Sequence, residues 1–170
     1  MTVHMPIAAE ADPWPATITA VNAWRGHCLA ILAGAETSVS ETLLVLAKAG
    51  ERGGKIKLPH LIGQRSDALA GAIGPDGPFY AEGKNSIDAL DAYRAHAPLR
   101  NFLCHAPGKI ACEKNGRWLL VLKTLSFRAS RADHSVRIIE EAESDELLRR
   151  LRADCQRLRT CLEQLRATLC

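Results

Sequence analysis

Three polar side chains that can act on a phosphodiester lie close together in the segment LRNFLCH at residues 99–105: Arg100, Asn101 and His105. An imidazole can give or take a proton near neutral pH, so His105 is a candidate general acid or base. A guanidinium stays charged and can hold two phosphate oxygens at once, which suits Arg100 to a phosphate. Asn101 can hydrogen-bond the phosphate or orient the imidazole. Cleavage of RNA through its own 2′-hydroxyl needs a group that moves a proton and a fixed positive charge on the phosphorane, so no metal ion is required.

The spacing of these residues limits how they can meet. The pattern predicts that they lie at the end of a helix, where Asn101 and His105, four apart, share a face. Arg100 and His105 are five apart, or about 140° around an ideal helix. They converge only if the helix frays at His105 or if a second subunit contributes one of the two side chains.

The segment resembles the R-x4-6-H motif of HEPN-domain proteins, in which a polar residue, often Asn, follows the arginine. The resemblance covers about residues 16–106 and the C-terminal helix, with the hairpin at 109–125 as an insertion. It implies a metal-independent endoribonuclease in which Arg100 clamps phosphate, His105 is the acid or base and Asn101 supports them. It also implies a bundle of about four helices and a homodimer whose two motifs face one cleft. Arg128 and His134 fit the same spacing, but they are expected in a loop without that context.

Plainer interpretations of the same residues stay open. His105 can cap the C-terminus of its helix, where a histidine gains from the helix dipole, and Arg100 can pair with an acidic neighbour. The chain would then be a non-catalytic interaction module that dimerises through its helices and has an unknown partner protein. Binding of nucleic acid without cleavage is a further possibility.

The charge distribution bears on these alternatives. Net charge is only +3, but residues 92–128 hold seven basic side chains and one acidic one, Glu113, whereas the rest of the chain holds fifteen basic and eighteen acidic ones. The basic members are Arg94, Arg100, Lys109, Lys114, Arg117, Lys123 and Arg128. A local positive field favours a phosphate-bearing partner such as RNA; a solvated, lysine-rich hairpin is the plain alternative.

Periodicity predicts the helices that must position this segment. Apolar or small residues recur every three or four positions along residues 16–49, which predicts one long helix; two helices with Gly34 as a C-cap are the alternative. The members of this stripe are Val21, Trp24, Cys28, Leu32, Ala35, Val39, Thr42 and Leu46. A second helix is expected at 58–73, with Leu58 and Leu61 on its apolar side, followed by a loop at 79–85. A third begins at Asn85 or Ser86 and is interrupted by Pro98.

The C-terminal part predicts a hairpin and a last helix. Strands at 109–114 and 117–125 flank Asn115-Gly116, a dipeptide that a type I′ turn prefers, and Val136–Ile139 can add a third strand. A helix over about 145–169 carries a heptad-like leucine seam. The seam residues are Leu148, Leu151, Cys155, Leu158, Leu162, Leu165 and Leu169. The seam is expected to be a stripe of the bundle, with a coiled-coil dimer as the alternative.

Composition indicates an ordinary globular protein. The 170 residues, 47% hydrophobic and 24% charged, predict a flexible arm at 1–14 and one domain at 15–170. The expected fold class is mainly α, a helical bundle with an inserted antiparallel β-hairpin. The start of the chain does not resemble a signal peptide and no apolar run approaches a membrane span, so we expect a cytoplasmic protein with reduced cysteines and no membrane contact. Phosphate-binding glycine loops and zinc-ligand spacings are absent from the sequence, so neither cofactor nor metal is expected.

Overall fold

The computed structural model describes residues 12–128 and 131–169. The long helices are α1 (Trp14–Ala47), α3 (Ile62–Ile73), α5 (Ile87–Arg94), α6 (Ala97–His105) and α7 (Glu141–Ala167). Short helices α2 (Gly50–Gly53) and α4 (Tyr80–Gly83) and a 3-10 turn (Lys84–Ser86) connect them. Strands β1 (Gly108–Cys112), β2 (Trp118–Arg128) and β3 (Arg131–Glu140) form one antiparallel sheet. The protein is therefore mainly helical with a three-stranded sheet. The described part holds more helical segments than the expected four, and most of the predicted arm, residues 1–11, lies outside it.

Helix α1 is continuous through Gly34, as its unbroken periodicity predicts. All eight residues of the predicted stripe are buried, because a 3.6-residue repeat keeps them on one face. By length and composition α1 is also long and apolar enough to cross a membrane, with a mean hydropathy of 1.5 over its most apolar window. A core helix passes the same test, and α1 packs its buried stripe against α7.

The leucine seam of α7 is part of the chain's own core. Leu151, Cys155, Leu158, Leu162 and Leu165 are each at most 2% exposed, and α7 packs along α1. The predicted burial of the seam within the chain's own fold is confirmed for these five residues, and Leu148 and Leu169 at its ends are partly buried. A dimer formed through this seam would have to replace contacts that one chain already makes.

Two expectations between α1 and α6 are wrong. Helix α3 begins at Ile62 rather than at residue 58, and Leu58 and Leu61 are exposed. Pro59 restricts the residue before it to extended backbone, which delays the helix. The segment 79–85, expected as a loop, contains α4 and the start of the 3-10 turn.

Proline separates α5 from α6, as the sequence predicts. Helix α5 ends at Arg94, and α6 begins at Ala97 with Pro98 in its first turn. Proline is tolerated there because the backbone N–H that it lacks has no partner within the helix. The break sets the start of the helix that carries Arg100, Asn101 and His105.

The sheet keeps the predicted strands but not the predicted turn. The backbone N–H of Glu113 donates to the Arg117 carbonyl at 2.8 Å, and that of Gly116 donates to the Glu113 carbonyl at 2.9 Å. The first bond encloses three residues rather than the two of a type I′ hairpin, and the second closes a tighter turn within that loop. Gly116 has a φ of 86°, which favours glycine. Strand β3 is longer than the predicted 136–139 and pairs with β2 from Leu119 to Arg128. Arg128 and His134, expected in a loop, therefore lie in strands.

Tryptophan side chains join the sheet to the helices. The rings of Trp24 on α1 and Trp118 on β2 lie 6.0 Å apart, centre to centre, and are tilted by 51°. The Trp24 indole N–H donates to the Ser144 carbonyl at 2.9 Å, which ties α1 to the first turn of α7. The core is therefore continuous from the helices to the inner face of the sheet.

Candidate functional site

Helix α6 places the three predicted site residues at different points of its length. Arg100 lies in the first half with its side chain 24% exposed, and Asn101 beside it is exposed. His105 is the last helical residue and is also exposed. The helix is regular as far as His105, so the frayed end that would bring Arg100 and His105 together within one chain is not present.

Arg100 forms an ion pair with Glu36 of α1. Its Nε–H donates to Glu36 Oε1 at 3.0 Å, and both side chains are about three-quarters buried. Burial by itself lowers the pKa of Arg100, but the hydrogen bond and charge of Glu36 outweigh it and the pKa is raised. The guanidinium is thus firmly charged and held in one orientation.

Arg100 and Asn101 line a cavity of about 440 Å³ between α1, α3, α5 and α6. A second ion pair lines it as well, with Arg94 Nη2 donating to Asp67 Oδ1 at 2.6 Å. The two arginines and two carboxylates of this cavity balance in formal charge. The site is therefore polar but carries no net positive charge.

Tyr93 forms the inner wall of the cavity. It is 7% exposed and lies against Ser66 of α3, another lining residue. Burial, together with the charge of Glu36, raises the pKa of Tyr93 far above its usual value. The phenol stays neutral and can serve as a hydrogen-bond donor, not as a base.

His105 is not among the residues that line the cavity. His105 lies in the last turn of α6, where the plain interpretation places it, but the side chain that hydrogen-bonds the carbonyls at this end is Arg25 of α1. The Arg25 Nε–H donates to the Leu103 carbonyl at 2.9 Å, and its Nη2 donates to the Ala106 carbonyl at 3.3 Å. Within the described residues no hydrogen bond involves the His105 side chain, which faces solvent.

Sequence reasoning missed Glu36 and Tyr93. Glu36 is next to the buried Ala35, and a lone carboxylate at the edge of an apolar stripe is a signal that can be read from the sequence. Its partner, 64 residues away, cannot be read in that way. Tyr93 fits the helical stripe of α5 and gives no sign of a polar role.

His96 also has a carboxylate partner. Its Nε2 lies 2.8 Å from Asp154 Oδ2, and this pair joins the α5–α6 connection to α7. Within residues 12–128 and 131–169 no group of three or more His, Cys, Asp or Glu side chains is placed to hold a metal ion. His96 therefore has a structural contact.

The basic segment does not converge on the cavity. Arg94 and Arg100 are paired with carboxylates, and the other described basic side chains of the segment are exposed on the β1–β2 hairpin. These are Lys109, Lys114, Arg117 and Lys123. Most of the positive charge is thus on the sheet, as the alternative of a solvated hairpin predicts.

The cysteines should differ sharply in reactivity. Cys104 is exposed, whereas Cys28 and Cys155 are buried, and burial raises their pKa to about 11 and about 12. Since the thiolate is the reactive form, we expect maleimide at pH 8 to label Cys104 in the native protein and the two buried thiols only in denaturant, as measured by peptide mass spectrometry. Native labelling of Cys28 as fast as that of Cys104 would contradict the buried position of the α1 stripe.

Comparison with known proteins adds no further constraint on the site. No family model, no curated protein and no solved structure matches this chain, so its function has to be inferred from its own geometry.

Proposed function

We propose that this protein is a metal-independent endoribonuclease that acts on RNA. The observation that carries the proposal is the arrangement on α6: Arg100 and Asn101 line a 440 Å³ cavity, and His105 is exposed at the end of the same helix. Arg100 binds the scissile phosphate, Asn101 supports it, and His105 transfers a proton. The resemblance of LRNFLCH to the HEPN motif supports these roles.

The ion pair with Glu36 is compatible with phosphate binding. A guanidinium has five N–H donors in a fixed plane, and the bond to Glu36 uses the one on Nε. The donors on the two Nη atoms are then the ones that can hold phosphate oxygens. Glu36 would orient Arg100 in this role, and Arg100 would stabilise the charge that develops on the phosphorane.

The reaction is an internal transfer that needs no co-reactant. The ribose 2′-oxygen attacks phosphorus, the bond from phosphorus to the 5′-oxygen breaks, and a 2′,3′-cyclic phosphate remains. The 2′-hydroxyl loses a proton and the leaving 5′-oxygen gains one. His105 would provide one of these transfers.

A second copy would complete the site. Arg100 and His105 point about 140° apart on an ideal helix, so one phosphate cannot easily contact both side chains of one chain. The resemblance implies a homodimer in which two such motifs face one cleft, with α1, α3, α5–α6 and α7 as the four-helix bundle. Arg100 of one copy and His105 of the other would then act together.

The proposal is tested with RNA that lacks the attacking hydroxyl. Wild-type protein in EDTA is expected to cleave a fluorescent single-stranded RNA library and to leave 2′,3′-cyclic phosphate ends. An oligonucleotide of a cleaved sequence with one 2′-deoxy residue at the cut position should remain intact at that position. Cleavage of the deoxy position, or dependence on added metal ion, would rule out this chemistry.

The second candidate function is a non-catalytic interaction module. The observation that favours it is the pairing of Arg100 with Glu36, which gives this arginine a structural reason to be where it is. This candidate predicts that the wild-type protein leaves the whole RNA library intact in EDTA, whereas its fold depends on the ion pair.

A further inference from the structure

Strand β3 is an exposed edge of the sheet. The strand order is β1-β2-β3, so β3 has β2 as its one neighbour in the sheet. It is ten residues long, and its described side chains are mostly exposed. In an antiparallel ladder every second residue directs its N–H and C=O to the same side. Among residues 12–128 and 131–169, these groups of β3 therefore have no strand partner on the outer side.

An apolar face accompanies this edge. Leu125, Val136 and Ile138 are 54%, 56% and 54% exposed. Residues opposite each other in the ladder share a face, and the pairs Val121–Ile138, Lys123–Val136 and Leu125–His134 place all three on the face turned away from the core. Proteins that stay monomeric usually shorten, charge or cover a long apolar edge strand, because such a strand pairs readily with another strand.

Strand β3 carries an aspartate and an arginine at positions that an antiparallel copy of the strand would place opposite each other. Asp133 and Arg137 are exposed and lie on the other face of the strand, two residues to either side of Ser135. Arg137 has one described ion pair, a 3.9 Å contact with the half-exposed Glu143, and exposed pairs of this kind are weak. Asp133 has none within the described residues. An antiparallel copy of the same strand would place an opposite charge beside each of these two side chains.

We infer that a second copy of this chain binds along β3, with the two strands antiparallel about a two-fold axis at Ser135, so that Asp133 faces the partner's Arg137 at two symmetric positions. The three-stranded sheets become one continuous sheet. On the opposite face of the sheet, Val136 lies opposite the partner's His134 and Ile138 lies opposite the partner's Ala132.

Other registers of the same pairing are less favourable. A shift of one residue turns the apolar face of one copy to the opposite side of the sheet. With the axis moved to Val136, Asp133 faces the apolar Ile139. With the axis moved to His134, Arg137 faces residue 131, which is also arginine. The axis at Ser135 is therefore the one that pairs opposite charges and keeps the apolar faces together.

The strength of the contact follows from its size. One strand edge buries less surface than a standard interface of about 1,600 Å², so the dimer should be weak, with a dissociation constant in the micromolar range. This strand contact is separate from the cleft in which two α6 motifs would meet under the proposed function, and it does not depend on whether the chain cleaves RNA. The variants below leave Arg100, Asn101 and His105 unchanged, so RNA cleavage can be assayed separately.

A charge-swap experiment tests this dimer. Analytical ultracentrifugation of the full chain is expected to show a reversible monomer–dimer equilibrium. D133R and R137D each place like charges at both symmetric positions, which should raise the dissociation constant by about tenfold or more. The double variant D133R/R137D restores opposite charges and should return the constant to near the wild-type value.

The controls decide between this edge and other contacts. Asp76 is an exposed aspartate in the α3–α4 connection, and D76R should leave the dissociation constant unchanged. A monomeric wild type, a dimer that ignores both single variants, or a double variant no better than the singles would overturn the inference. So would a monomeric full chain that dimerises once residues 1–11 are removed, since those residues would then be the occupant of the edge.

Discussion

Replacing His105 by alanine is expected to reduce RNA cleavage by at least about a hundredfold, the usual contribution of a general acid or base. The side chain is exposed and no described hydrogen bond depends on it, so the fold should be unaffected. The measurement is the single-turnover rate on a cleaved RNA sequence in EDTA, with circular dichroism to verify the fold. Undiminished cleavage by the variant would remove His105 from the reaction.

A matched histidine makes this result specific. His27 is exposed on α1, and His27→Ala should cleave at the wild-type rate. If the two copies complete one another's sites, an inactive His105→Ala chain mixed with an inactive Arg100→Lys chain should recover part of the activity, because one site of the mixed dimer then keeps both wild-type side chains. Lysine is chosen at position 100 because it keeps the charge that pairs with Glu36 but not the planar set of donors of arginine. A mixture as inactive as its components would argue that each chain acts alone.

The helices could be predicted because their signal is local. The α1 stripe and the α7 seam depend only on the spacing of apolar residues along one segment, and both are buried as that spacing predicts. Pro98 separates α5 from α6 for an equally local reason, the lack of a backbone donor. The helix that carries Arg100 could therefore be located from sequence.

The surroundings of the site could not be predicted in this way. Glu36 meets Arg100 only because α1 and α6 pack together, and this contact joins residues 64 apart in the chain. Residues 92–128 hold seven basic side chains, and most of these lie on the hairpin in the folded chain. Arg94 and Arg100 are each paired with a carboxylate. Charge counted along the chain is therefore a poor guide to the field at a site formed by three-dimensional packing.

The exposed edge of the sheet at β3 could not be predicted from the local sequence either. The sequence of β3 is polar over most of its length, and only residues 136–139 resemble a strand. Pairing with β2 extends the strand to ten residues, because a ladder depends on the neighbouring strand as much as on local preference. The exposed edge is a product of that pairing.

Truncation of Leu158 to alanine is expected to lower the free energy of unfolding by about 2–5 kcal/mol, the cost of a buried leucine and the cavity that it leaves. Leu158 is 0% exposed and belongs to α7, the helix that packs along α1. Urea unfolding followed by circular dichroism measures the change. Leu44→Ala removes the same atoms from a leucine that is 48% exposed on α1, and it should change stability by no more than about 0.5 kcal/mol.

The same variant separates the two roles that a leucine seam can have. If the seam belongs to the chain's own core, the stability lost in Leu158→Ala is the same at low and high protein concentration, because no second copy takes part in the contact. A seam that joined two copies would instead make the loss depend on protein concentration. If the seam belongs to the core of one chain, aspartate at Leu158 or Leu165 should unfold that chain, since an unpaired charge would be placed inside the core. It should not release a folded monomer. A folded, monomeric Leu158→Asp variant would contradict the packing of α7 on α1. It would indicate that the seam lies on the surface of the chain.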